Sequence, residues 1–152
     1  MTRSKEVGTQ FESDVVRFLR ANGFPQAERR ALHGTADLGD ITGIPGVAIE
    51  CKGGKAAETA SDGQVLAWLG ETETERRNAG SDVGVLVVKR KGVGSANAGR
   101  WWAVMDLRTI LVLVLGKSLG PLEVDAPVWM HLDTATSLLA EAGYGEAGER
   151  SA

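Results

Sequence analysis

A mixed α/β architecture, a central β-sheet flanked by helices, follows from three features of the sequence. Val83 to Val88 is an unbroken apolar run of strand length, the pattern of a strand buried on both faces. Val47-Ala48-Ile49-Glu50-Cys51-Lys52 alternates instead, with Val47, Ile49 and Cys51 on one face and Ala48, Glu50 and Lys52 on the other. Helical periodicity before and between these strands interleaves the two kinds of element, which calls for helices packed on a sheet.

From Ser4 to Ala21, Val7, Phe11, Val15, Phe18 and Leu19 recur at helical spacing, and Asn22-Gly23 supplies the stop. A short extended stretch over Ala27–Leu32 precedes the loop His33-Gly34-Thr35-Ala36, which leads into Asp37-Leu38-Gly39-Asp40. Ile44-Pro45-Gly46 then reads as the three-residue loop of a hairpin flanked by Gly43 and Val47. Gly53-Gly54 breaks the second arm, and a helix runs from Ser61 or Asp62 through Arg77, closed near Ala79-Gly80. The strand over Val83–Val88 follows; Lys89 to Arg100 is a basic, Gly-rich turn, and Trp101 to Met105 is the returning strand. Asp106 is placed to cap a short helix over Leu107–Leu115, but β-branched residues there suit a strand equally. Residues 116–128, with Pro121 and Pro127, read as irregular. Asp133 is placed to cap a final helix to about Ala142, and the chain from Gly143 onward reads as a frayed tail.

At 152 residues the chain is the size of one ordinary domain, with a core expected over about residues 4–115 and an extension of unassigned role over 116–152. The apolar run Ile110–Leu115 is far below the roughly 20 residues that span a bilayer, and no basic-then-apolar leader precedes the first helix, so a cytoplasmic protein is expected. The single cysteine, Cys51, forms no internal disulfide and reads as a small buried hydrophobe. Net charge is −3, yet residues 1–100 hold 14 Lys/Arg against 13 Asp/Glu while 101–152 hold 3 against 7. The acidity is therefore C-terminal, and local basic clusters decide any affinity for phosphate: Arg29-Arg30, Arg76-Arg77 and Lys89-Arg90-Lys91.

The chemistry-bearing residues gather at the hairpin. With Gly43 and Val47 flanking its loop, strand partners sum to ninety, so Asp40 faces Glu50 across the ladder, and Lys52 shares the Glu50 face. Two opposed carboxylates repel, and a cation between them removes the penalty. Hard oxygen ligands suit Mg²⁺, with Mn²⁺ as a substitute. An ion held there activates water and neutralises phosphate charge, while Lys52 orients or deprotonates that water. Arg29, Arg30, Lys89, Arg90 and Lys91 are the expected phosphate contacts, which position nucleic acid without reading its sequence.

An acid, a short connection and then Glu-x-Lys on an apolar strand resembles the PD-(D/E)xK nuclease superfamily, whose fold is called restriction-endonuclease-like. Gly8-Thr9-Gln10-Phe11-Glu12 followed by Leu19 and Asn22-Gly23-Phe24 is similar to the first helix of archaeal-type Holliday junction resolvases. Arg29-Arg30, Gly39-Asp40-Ile41, Ile49-Glu50-Cys51-Lys52, Gln64, Val83–Lys89 and Trp101–Val104 continue the likeness, which covers about residues 7 to 106. The resemblance implies Glu12 as a third metal ligand and Gln64 as a site residue from the second helix. Asp37 and Asp40 both match the first acid, and the register favours Asp40, since Asp37 would oppose Gly53. Trp68 stands where related nucleases carry another aromatic, and core packing suits it better. His33 and Thr35 lie in the loop beside the site; His131 has no assigned role.

The resemblance implies a metal-dependent endonuclease that hydrolyses phosphodiesters in branched or duplex DNA near four-way junctions. A homodimer would be its working form, and recombination or repair in the host cytoplasm, from a gene of a phage or mobile element, its setting. Ile110–Leu115 is a candidate dimer surface or part of the monomer core. Other nucleases of the superfamily, acting on flaps, nicks or restriction sites, and a non-catalytic DNA-binding module are the alternatives.

Overall fold

The computed structural model describes residues 3–31, 38–116 and 126–145. Six strands form one mixed sheet: β1 (Glu28–Arg29), β2 (Ile41–Thr42), β3 (Val47–Lys52), β4 (Val83–Val88), β5 (Trp102–Asp106) and β6 (Pro127–His131). They lie side by side in chain order, and all neighbours are antiparallel except β3 and β4. A parallel pair needs a crossover, supplied by α2 (Gly54–Glu58) and α3 (Asp62–Ala79). The other helices are α1 (Arg3–Ala21), α4 (Leu107–Leu115) and α5 (Leu132–Glu141), with a 3₁₀ helix over Ser95–Arg100. No helix among the described residues is long and apolar enough to cross a membrane.

Alternation along the strands divides the core into two layers. Val47, Ile49 and Cys51 of β3 and Val83, Val85 and Val87 of β4 pack with Phe11, Val15 and Leu19 of α1, Leu113 of α4, and Leu132, Ala135 and Leu139 of α5. On the opposite face, Leu86, Val88 and Val104 meet Ala57 of α2 and Val65 and Leu69 of α3. Glu50 and Lys52 point into that second, smaller layer because they alternate with Ile49 and Cys51.

Helix α3 starts and stops where the sequence predicts. Ser61 Oγ accepts the Gln64 N–H at 3.1 Å, and Gly80, at φ 65°, closes the C-terminus in the left-handed conformation. Residues 107–115, open between helix and strand in the sequence, are helical. Asp106 Oδ1 accepts the Arg108 N–H at 3.3 Å and Gly116 at φ 68° ends the helix, so its two caps outweigh the β-branched content. Of its apolar run, Leu113 is buried and Ile110 packs against the core, as the core alternative expects, while Val114 and Leu115 are exposed.

Three expectations need correction. The stretch 116–128 is not irregular to its end, since Pro127 and Val128 open β6. Proline is tolerated there because it is the first residue of an edge strand. The core does not stop near residue 115, because Leu132, Ala135 and Leu139 of α5 complete its larger layer. The basic turn after β4 is not plain loop: its 3₁₀ helix buries Ala98, and the indole N–H of Trp101 donates to the Val93 carbonyl at 2.8 Å. Trp101 is thus a core anchor just before β5 begins.

Candidate functional site

The hairpin has the register read from the sequence, with Ile41 opposite Ile49. Gly43 takes φ 93°, and a Cβ there would strike the Gln26 carbonyl, so only glycine fits. Val47 N–H closes the turn on the Ile44 carbonyl at 3.0 Å, and the Asp82 and Val83 N–H groups fix the Gly46 carbonyl at 2.9 and 3.0 Å. Beyond Ile41 the ladder loses its regular step. The Asp40 N–H donates to the Ile49 carbonyl, the Asp40 carbonyl accepts from Arg30 N–H, and Asp40 Oδ2 accepts the Cys51 N–H, each at 2.8 Å. The side chain has taken a carbonyl's place on the edge of β3, which fixes the Asp40 carboxylate beside Glu50.

Glu50 is 6% exposed, and its carboxyl is hydrogen-bonded to those of Asp40 and Glu75. Burial foremost, then these two bonds and the neighbouring negative charges, push its pKa up to about 11. Carboxyls that touch must share protons or a cation. Glu75, 3% exposed on α3, was not foreseen. Its neighbours Glu71, Glu73, Arg76 and Arg77 give it the look of a solvated helix face. The available signal was helical phase: Val65, Leu69, Thr72 and Glu75 form the buried stripe of α3.

Glu12 reaches the same region from α1. Its Oε1 accepts from Arg29 Nε at 3.2 Å. Partial burial and the charge of Asp40 raise its pKa, against the lowering effect of Arg29. Cys51, buried on the other face, has its thiol pushed well up by burial first and then by Asp40, Glu12, Glu50 and Glu75. A thiol so shifted stays neutral.

Lys52 lies on the Glu50 face, but its ammonium does not close on the carboxyls. It sits 3.6 Å from Glu71 and 5.6 Å from the centre of the half-buried Trp68 ring. Gln64 is exposed on the first turn of α3, one residue out of phase with the buried stripe, and its side chain makes no hydrogen bond among the described residues. Of the basic residues, Arg29 is held by Glu12, and Arg30 Nε donates to the Gly39 carbonyl at 3.1 Å. Lys89 Nζ pairs with Glu58 at 3.1 Å, Arg90 stacks on Trp102, and Lys91 is exposed. His33, Thr35 and Asp37 lie outside the described residues.

Among the described residues, no three His, Cys, Asp or Glu side chains form a group that would cage a metal ion. The donor chemistry nevertheless fits a hard divalent ion. Mg²⁺ is commonly bound by one or two carboxylates, with water and substrate phosphate completing its octahedron. Asp40 and Glu50 are two adjoining carboxyls at one strand edge, and the proton between them is what such an ion would replace. Compared with protein-family models, curated proteins and solved structures, the chain matches none.

Proposed function

We propose that this chain is a divalent-metal-dependent, structure-selective DNA endonuclease of the restriction-endonuclease-like fold, most similar to a Holliday junction resolvase. The observation that carries the reading is the contact between the Asp40 and Glu50 carboxyls from opposite arms of one hairpin, with Lys52 on the same face. Two acids in mutual contact inside a fold cost stability unless they serve a ligand. Asp40 is also fixed by three backbone hydrogen bonds, which aims its carboxylate before any ligand arrives.

When bound, Mg²⁺ or Mn²⁺ supplies the Lewis acidity for phosphodiester hydrolysis. Asp40 and Glu50, having given up their shared proton, hold the ion, and Glu12 and Glu75 adjoin them as further acceptors. Lys52 Nζ leaves Glu71, a pair too exposed to hold it strongly, and offsets charge developing on the phosphate. Arg29 and Lys91 contact flanking phosphates and set the position of the strand. Symmetric cutting of a four-way junction takes two such sites, hence a two-fold homodimer.

The test is a cleavage gel comparing a synthetic four-way junction with linear duplex of the same sequence, with and without Mg²⁺. The junction is cut faster, and only with the ion. Asp40→Asn lowers the rate on the order of a thousandfold, the several kcal/mol an ion contributes to the transition state. Its DNA binding is kept or strengthened, because a negative charge facing phosphate is gone. Equal rates on both substrates discard the junction preference, and unchanged cutting by Asp40→Asn discards catalysis at this site.

A further inference from the structure

The face of the sheet that carries Glu50 and Lys52 does not end at α3. Strand register continues it row by row: Lys52 is opposite Val88, Val88 opposite Trp102, and Trp102 opposite His131. One row deeper, Glu50, Leu86, Val104 and Trp129 stand in the same succession. Both rows share one face, since Leu86, Val88 and Val104 pack together and Trp68, Trp102 and Trp129 lie half-buried against them. Helix α3 lies over β3, β4 and β5, whereas β6 packs against α5 on its other side. From Lys52 the rows cross three strand spacings, roughly 14 Å, to reach His131 at the sheet edge; Leu86, Val88 and Val104 between them are buried beneath α2 and α3, so the open strip is the outer end at Trp102, Trp129 and His131.

This strip is aromatic and basic together. The Arg90 guanidinium lies 4.4 Å from the Trp102 ring centre, donates to the Arg100 carbonyl at 3.4 Å and approaches His131 Nε2 at 3.2 Å. Trp102 and His131 are themselves in ring contact, with centroids 5.7 Å apart. Arg90 is thus a flat cation held over an indole face by two further polar contacts, and a second indole, Trp129, stands on the same sheet face on the neighbouring strand. A rigid, partly open aromatic and guanidinium surface with Lys91 and Arg100 exposed beside it matches the stacking face and charge of an unpaired nucleotide.

We propose that this strip is a binding site for single-stranded nucleic acid, with unpaired bases stacking on Trp129 and on the Arg90–Trp102 pair while Lys91 and Arg100 contact the phosphates. The proposal rests on the nuclease reading for its role, because it would hold a displaced strand at the outer edge of the sheet that carries the Glu50 carboxyl, beyond the α3 cover. Substrates with unpaired nucleotides at a branch or flap would then be favoured over unbroken duplex.

The test is fluorescence anisotropy in EDTA at fixed ionic strength with two labelled oligomers of equal length, oligothymidylate and its abasic counterpart. The abasic chain keeps every phosphate and loses every base. The wild-type protein binds oligothymidylate about tenfold more tightly than the abasic chain, the magnitude of one stacked base. Trp129→Ala removes that preference by weakening oligothymidylate alone, and Trp129→Phe, which keeps a ring in place, retains most of it. Equal binding of the two oligomers by the wild type, or an undiminished preference in Trp129→Ala, overturns the proposal. So does a change from dimer to monomer in Trp129→Ala with the preference intact, which would give the surface to a second copy of the chain. The nuclease reading fails separately: base preference with no Mg²⁺-dependent cutting of any substrate sinks that reading and leaves this one standing.

Discussion

The two faces of strand β3 are built to different ends. On one, Val47, Ile49 and Cys51 pack into the apolar layer with α1, α5 and β4, and the apolar area buried there favours the folded state. On the other, Glu50 is buried too, 6% exposed against 2% for Ile49, in contact with two more carboxyls and two residues from a lysine. Side chains one position apart on the same strand thus contribute with opposite sign. The apolar face holds the sheet together, and the polar face spends part of that stability on an arrangement with no packing rationale. Natural sequences carry such local conflict where function requires it.

The contrast breaks most sharply on its apolar side. Ile49 is 2% exposed between α1 and β4. Truncation to alanine should lower unfolding stability by about 3–4 kcal/mol, measured by urea denaturation, through lost transfer energy and the cavity left behind. A loss below about 1 kcal/mol would mean that this face is not the anchor.

Glu50→Gln should act in the other direction. Below pH 4.5, the ordinary value for glutamate, the folded and unfolded chains both hold the Glu50 proton. Above it the unfolded chain releases that proton while the folded chain keeps it to about pH 11, so the metal-free protein loses stability as pH rises through this window. The amide of glutamine cannot ionise and still donates to Asp40 and Glu75. The variant should match the wild type near pH 4.5, melt a few degrees higher at pH 8 in EDTA, and show a flatter stability profile between them. A parallel profile would show that Glu50 is ionised in the fold.

The smallest effect belongs to Lys52. Its pair with Glu71 leaves the side chains 29% and 57% exposed, so Lys52→Met, which keeps the stem on Trp68, should change stability by less than about 0.5 kcal/mol. The same substitution should remove cutting. A large loss of stability would make Lys52 a structural residue.

Much of this arrangement was legible before any coordinates. The hairpin register follows from a Pro-Gly loop between two short arms, β4 from its unbroken valines and leucine, and α3 from Ser61 and Gly80 at its ends. What escaped was set by tertiary contacts. Strand β6 is short, begins at a proline and gains its stability by pairing with β5, so nothing local announces it. Helix α2 begins at the second of two glycines and spans five residues. Glu75 sits in a run of charges, and only its phase relative to Val65, Leu69 and Thr72 separates it from the solvated residues around it. Gln64, chosen by likeness to other nucleases, lies off that stripe and stays exposed, a placement that phase alone would have given.

The most direct test of the account is Mn²⁺ binding followed by electron paramagnetic resonance of the free ion at pH 8. The wild-type protein should take up Mn²⁺ and be displaced by excess Mg²⁺, while Asp40→Asn and Glu50→Gln, the latter at least as stable as the parent, should each lose uptake. If both variants bind the ion as the wild type does, the carboxyls of the hairpin are not its ligands and the central claim is wrong.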